Sequence, residues 1–370
     1  MPLATWHLHL LVALSLGVAA PLTCQGSTRV VPSNPACPSC KIVLDPVVTL
    51  GRSGDPPLTR LTRVAVDSRG QFYAAPTYNR GEIAMYDAGG RFVRKFGRPG
   101  QGPGEFGGPI HMLRVGPGDS IHVFEGPRHT VLAPALRAFG SVRLLPVLLN
   151  DLAFLADGRM VAQQMVVGRG GIGQPLHVIG DGGRIAQSFA GTDKWDPARL
   201  YSGIRPIAPA SGNRVWSAHT GAYRVELWEP AGSNSLILVR DASWFQPWEQ
   251  VIRRSAEGRE RPRIVDVAED RQGRLWVSIL VRDPKHRRSR ETREVPLTEV
   301  DANAEFDTVL EVLDPRSGRL LARTRFEQII PAFIGDGSVV FARREDADGN
   351  IVVDVWRARL STSTTRSKDE

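Results

Sequence analysis

Residues able to carry acid–base, nucleophilic or metal chemistry are spread thinly along this chain of 370 residues. It contains neither a Gly-x-Ser-x-Gly nucleophile elbow nor a His-Glu-x-x-His zinc motif. His111, His122, His129, His177 and His219 are scattered and form no ligand-spaced group. The strongest arrangement is positional. Seven residues before each of six glycines (Gly70, Gly118, Gly158, Gly212, Gly273 and Gly337) stand Arg63, His111, Asp151, Arg205, Asp266 and Ile330. All but Ile330 are polar or charged. Arginine does not ligate metals in ordinary sites and only one position is His, so a ring of this composition predicts no metal centre and no cofactor. It predicts either a water-lined funnel with ion pairs across it, or a small anionic or polar ligand held by Arg63, Arg205 and His111.

A second set of chemically able residues is aromatic. Lys194–Pro206 carries Trp195 and Tyr201, and Ser243–Pro262 carries Trp244, Phe245 and Trp248. Pro247 suits a first helical turn, which would put Trp248, Val251 and Ile252 on one side of a short amphipathic helix. These aromatics either pack as a cover over one sector or line a ligand or peptide groove. Other motifs fail on context. Gly168, Gly170 and Gly173 have a dinucleotide-like spacing, but Pro175 and a strand follow where a helix would have to start. Asp346, Asp348 and Asn350 read as a hairpin turn rather than a calcium loop, because no bidentate Glu follows.

The six glycines belong to a repeat that must position these residues. Each precedes an apolar strand: FYAA at 72, IHVF at 121, MVAQQ at 160, VWSA at 215, LWVSIL at 275 and VVFA at 339. A second turn recurs later in most units, at 87, 180, 229 and 314. Four short strands per unit, with an apolar period of two and frequent turn residues, predict propeller blades rather than helical repeats. The sixth unit lacks an outer strand, and KIVLDPVVTLG at 41 to 51 has the character of one. The expectation is an all-β, six-bladed β-propeller over 41–361 whose last blade is closed by the N-terminal strand.

Residues 96 to 129 carry a more specific pattern, in which a Gly-rich outer turn ends in Phe and Pro before the next inner strand. Gly97, Gly100, Gly104, Phe106 and Pro109 supply it, with Asn79 and Arg80 at a third-strand start. This resembles the NHL-repeat and TolB-like six-bladed propellers. The resemblance implies two functional expectations: a binding module, or a channel-centred lyase or lactonase-like hydrolase.

Composition sets the remaining bounds. Net charge is +8, and five of the 47 basic residues are Lys. Residues 1–26 read as a signal peptide around the apolar run 8–20, which is short for a membrane span. Cys24 would give membrane contact only if lipidated. Cys37 and Cys40, in the 27–40 segment, are expected to form a disulfide in an exported, extracytoplasmic protein. Lys285, Arg287, Arg288, Arg290 and Arg293 make a basic loop within 282–306 without interleaved aromatics, which argues for a solvated loop and against nucleic acid. A disordered tail is expected over 362–370. The chain thus reads as a monomeric, exported binding protein for a protein, peptide or small polar ligand, with no catalytic constellation.

Overall fold

In the computed structural model each of the six aligned glycines lies in the left-handed region, with φ from 68° at Gly118 to 85° at Gly158. A Cβ is strained there, so glycine at these turns is what allows each inner strand to reverse tightly into the second. The structure describes residues 26–362 apart from 60, 78–80, 146–148, 165–173, 192–202, 249–260 and 286–305. The Gly168–Gly173 spacing, the basic stretch from Arg287, Trp195, Tyr201, Asn79, Arg80 and the helix proposed beyond Trp248 lie outside the described residues.

Six small sheets result. Strands β1 (Ser27–Val31) and β2 (Cys40–Leu50) precede the first blade. That blade holds β3 (Arg63–Val66), β4 (Phe72–Ala75), β5 (Ile83–Tyr86) and β6 (Phe92–Phe96). The second holds β7 (Met112–Val115), β8 (Ile121–Glu125), β9 (Arg128–Leu132) and β10 (Phe139–Leu144). The third holds β11 (Asp151–Phe154), β12 (Met160–Gln163), β13 (Leu176–Ile179) and β14 (Ile185–Phe189). The fourth holds β15 (Ile207–Ala210), β16 (Arg214–Ala218), β17 (Arg224–Trp228) and β18 (Asn234–Arg240). The fifth holds β19 (Arg263–Glu269), β20 (Leu275–Arg282), β21 (Phe306–Asp314) and β22 (Arg319–Phe326). The sixth holds β23 (Phe333–Ile334), β24 (Val339–Glu345) and β25 (Ile351–Thr362), with β2 as its outer strand. The fold is the six-bladed propeller expected. Inner strands begin on one face, here the start face, and end in the glycine turns on the other, the turn face.

Closure occurs where the pattern placed it. β2 pairs antiparallel with β25 from Cys40 opposite Thr362 to Leu50 opposite Val353. The register slips between Pro46 and Val48, where a residue without an N–H can sit in a ladder. The preceding segment does more than lead into this strand. β1 pairs in parallel with β18, from Ser27 opposite Leu236 to Val31 opposite Arg240, as a fifth strand on blade four. The chain then crosses blade five, where the Ala36 N–H donates to the Leu320 carbonyl at 2.7 Å, before reaching blade six. Cys37 and Cys40 are disulfide-bonded at that crossing. Residues 27–50 therefore form a belt over three blades.

Apolar faces of adjacent sheets make the core, with Trp216, Trp276, Tyr73 and Phe124 fully buried. Turn carboxylates seat some of these rings: Asp67 accepts the Tyr73 hydroxyl and Asp270 the Trp276 Nε1–H, both at 2.8 Å. At the Gly-rich turn, a Cβ on Gly97 would come within 2.3 Å of the Gly81 carbonyl and 2.6 Å of the Phe106 ring. Glycine there lets Phe106 be completely buried. Asp346 accepts the Asn350 and Asp348 N–H groups, the hairpin turn expected.

Blade two contains a buried polar chain whose direction is fixed by its first donor. Arg143 Nε–H donates to His129 Nδ1 at 2.9 Å, so His129 must carry its proton on Nε2, which faces His122 Nδ1 at 2.8 Å. His122 Nε2–H then meets Ser120 Oγ at 2.9 Å, and the serine donates to the Pro117 carbonyl. Both histidines are neutral in this arrangement. Burial first, then neighbouring positive charge, holds the pKa of His122 at about 4 and that of His129 at about 3, below the ordinary 6.5.

Two outcomes are expected. Val31→Ala, in the core of blades four and five, should cost about 2 kcal/mol, whereas Val30→Ala, 70% exposed, should stay within about 0.5 kcal/mol in urea unfolding. The unfolded chain takes up histidine protons that the folded chain refuses. The contribution of these two histidines to stability should therefore be complete above about pH 6.5 and be lost as pH drops from there toward about 4 and then about 3. Replacing both His122 and His129 with Gln should flatten that decline in denaturation measured across the range.

Candidate functional site

On the start face the inner-strand residues divide into two sectors. Arg63 opens β3, and one residue earlier the Thr62 carbonyl accepts two bonds from Arg343, from Nε at 2.9 Å and Nη2 at 2.6 Å. Arg343 belongs to β24, and its guanidinium also lies over the Phe341 ring at 5.0 Å. Burial, then the charge of Arg63, lowers its pKa from the ordinary arginine range. His111, just before β7, accepts the Gly126 N–H on Nδ1 at 3.1 Å, and its ring also interacts with the Leu149 backbone. Burial and then Arg63 push the His111 pKa down, so the ring is neutral at pH 7. Blades six, one and two thus bring two guanidinium groups and an imidazole into one electrostatic neighbourhood.

The other sector is acidic. Asp151 opens β11 and is buried, accepting Leu152 N–H at 2.8 Å and Arg114 Nη2 at 2.7 Å on one oxygen. Its second oxygen takes the Ile207 N–H of the next blade at 2.9 Å. Asp266 on β19 repeats the device. It accepts Val267 N–H at 2.9 Å and reaches Phe333 N–H of blade six at 2.6 Å. Inner strands have one edge without a strand partner, and these carboxylates satisfy N–H groups on that edge. Burial, followed by the nearby Asp151 charge, pushes the Asp266 pKa up to about 8 although part of its side chain remains exposed. A carboxyl group that keeps its proton near neutral pH in this setting can donate as well as accept.

The predicted ring is only partly realised. Arg63, His111, Asp151 and Asp266 occupy it. Arg205 does not: its side chain is 3% exposed and pairs with Glu226 at 3.0 Å inside blade four, where Arg224, His219 and Trp228 also surround that carboxylate. A guanidinium that deep is held by the carboxylate that neutralises it. Ile330 is buried too, with its N–H on Thr308 Oγ1 and its carbonyl on Ser278, because the short inner strand of blade six starts only at Phe333.

The aromatic residues that can be placed are used in packing. Trp244 lies against the core of blades four and five, edge to face with Phe245, and carries Arg323 over its ring at 5.8 Å. Trp248 donates its Nε1–H to the Pro262 carbonyl and its backbone N–H to Gly221, both at 2.8 Å. Gly221 permits this approach, since a Cβ there would meet the Trp248 carbonyl at 2.2 Å. Sequence reasoning missed Arg114 and Arg343. Arg114 was detectable as a charge in an otherwise apolar inner strand, whereas Arg343 comes from a second strand and reaches the site only through the closure of the ring.

Among the described residues no three His, Cys, Asp or Glu side chains are grouped to hold a metal ion. No helix among them is long and apolar enough to cross a membrane.

No protein-family model and no curated protein matches the sequence. Solved structures do. A Bacteroides fragilis protein described as exported superposes with a TM-score of 0.55 at 11% identity, over 90% of this chain and 99% of that one. A luciferin-regenerating enzyme gives 0.47 at 11% identity over 87% and 98%. An inactive variant of Staphylococcus aureus virginiamycin B lyase with quinupristin gives 0.45 at 11% identity over 86% and 99%. At such identity the first of these likenesses speaks for the fold alone.

Asp151→Asn should lower the Asp266 pKa by removing the nearby negative charge, while burial keeps it above the ordinary carboxylate value. Carboxyl carbon NMR titration of the variant beside the parent chain would measure the change.

Proposed function

We propose that this is an extracytoplasmic, monomeric binding module that takes a small polar ligand or peptide bearing an acidic group at the start face of its channel. The observation that carries the reading is the convergence of Arg63, Arg343 and His111 from three blades. A ligand carboxylate would accept charge-assisted hydrogen bonds from guanidinium groups gathered in this sector. A positive group on the same ligand would lie toward Asp151 and Asp266. Placement outside the cytoplasm rests on the Cys37–Cys40 bond and on the apolar run 8–20. Nucleic acid does not suit this reading, because acidic and basic groups share the opening.

One observation favours a second reading, the channel-centred lyase or hydrolase. Asp266, whose pKa is pushed up to about 8 beside Asp151, is a candidate proton donor. Stoichiometric divalent metal in purified protein, or a turnover lost in Asp266→Asn, would favour it.

For the binding reading, calorimetric titration with tripeptides having free or amidated C-termini is the direct test. Free carboxylates should bind at least about tenfold more tightly, and Arg63→Glu should remove that preference. Equal affinity for the two forms, or a preference that survives Arg63→Glu, would overturn the proposal.

A further inference from the structure

The turn face has its own opening, chemically unlike the start face. A cavity of about 630 Å³ is bounded by the glycine turns of several blades. Pro117, Phe154, Leu155, Ala156, Pro209 and Ala210 make its apolar wall. Its charged groups come from blades five and six, and they are not equally available. Glu269 is occupied by the Ser211 N–H at 3.0 Å and the Trp216 Nε1–H at 2.6 Å. Asp270 accepts the N–H groups of Gln272 and Arg274, the Arg274 Nε–H and the Trp276 Nε1–H. These acids are turned inward on internal donors. The basic groups project outward. Arg271 has an 82% exposed side chain whose tip pairs at 3.2 Å with Asp336, a partly exposed carboxylate of the same lining. Arg316 reaches over the same turn, with Nη2 3.9 Å from where a Gly273 Cβ would lie.

The wall is also built in advance of any ligand. Neighbouring turns are clasped to one another: Ser68 to Asp119, Asp157 to Asn213, Ser211 to Glu269 and Arg271 to Asp336. The buried chain from Arg143 through both histidines ends on the Pro117 carbonyl, and the Phe154 ring packs on His122 at 4.5 Å between centroids. A cup that is already ordered loses little freedom on binding, so modest apolar contact there yields affinity.

From this arrangement we infer that the turn-face cavity is a second binding site, for a small amphipathic acid whose apolar or aromatic body lies against Phe154 and the prolines while its anionic head meets Arg271 and Arg316. With Glu269 and Asp270 satisfied by internal donors, the guanidinium groups of Arg316 and of Arg271, the latter paired with Asp336, select the sign of the head, and the wall selects the body. This site is independent of the start-face reading.

The test uses 1-anilinonaphthalene-8-sulfonate, an aromatic anion, and the uncharged N-phenyl-1-naphthylamine, each titrated by fluorescence into the full chain at neutral pH. The anionic probe should bind saturably at one site. Arg271→Glu with Arg316→Glu should weaken it about tenfold or more and change the uncharged probe less than about twofold. Ala156→Trp places bulk at an exposed wall position and should abolish both, with an unchanged melting temperature showing that the variant is folded. Arg63→Glu, on the opposite face, should alter neither. The site is refuted by an absence of saturable binding, or by binding that persists in a folded Ala156→Trp variant. Charge reversal without effect on the anionic probe refutes the acid as its ligand class.

Discussion

The hydrogen-bond ladder between residues 40–50 and 351–362 is the constraint on which the rest of the structure depends. A propeller sheet packs its faces against its neighbours, so an open ring would expose two apolar faces and an unpaired edge. Pairing one end of the chain with the other removes that seam, and it also sets the position of every inner strand around the channel. Arg63 opens β3, the next strand after β2, with Thr62 just before it, and Arg343 lies on the strand beside β25. Arg343 can therefore bond to the Thr62 carbonyl only once the two ends have met. The cationic sector is a product of closure, which explains why it joins residues 281 positions apart in the chain.

The belt that precedes closure distributes this constraint over more of the ring. Arg240 and Glu311 are both wholly buried and 3.1 Å apart between blades four and five, while Tyr223 donates its hydroxyl to the same glutamate. Arg240 also reaches the Ser33 carbonyl of the belt. Burying a charged pair is costly in desolvation, and its specific gain is geometric: removing one partner would leave the other uncompensated, so only one docking of these blades satisfies both. Glu226 with Arg205 serves blade four in the same way. Much of the charge that composition reveals is consumed by such internal pairing and cannot serve a ligand.

The fold was legible because its signals are local. A glycine in a positive-φ turn followed by an apolar strand is written within a few residues, and six copies with one missing outer strand imply closure from the N-terminal side. The site was less legible because its signals are long-range. Counting back a fixed number from each glycine works where inner strands have similar lengths, and placed Arg63, His111, Asp151 and Asp266 correctly on the inner-strand side. It failed at Ile330, where β23 has two residues, and at Arg205, whose burial is decided by a glutamate on a third strand. β1 was missed for a related reason. A parallel partner joins a strand without a hairpin, so STRVV carries no turn signal that would reveal where it docks.

The two openings of the channel differ because the same unpaired inner edge meets different chain geometry at its two ends. Where the inner strands begin, Asp151 on β11 and Asp266 on β19 turn their carboxylates to free N–H groups of the next blade. Polarity there is a structural requirement, and charge can be added to it by a neighbour such as Arg343. Where the strands end, the glycine turns are satisfied within themselves and by side-chain clasps from the neighbouring turn, such as Glu269 on the Ser211 N–H, which leaves the wall between the clasps free to be apolar. Apolar residues such as Phe154 and Pro209 are tolerated there, and exposed side chains such as Arg271 are left to project from the turn itself. A single repeat thus makes a polar opening at one end and an apolar cup with a basic rim at the other. Selection on one can proceed without disturbing the clasps that hold the other.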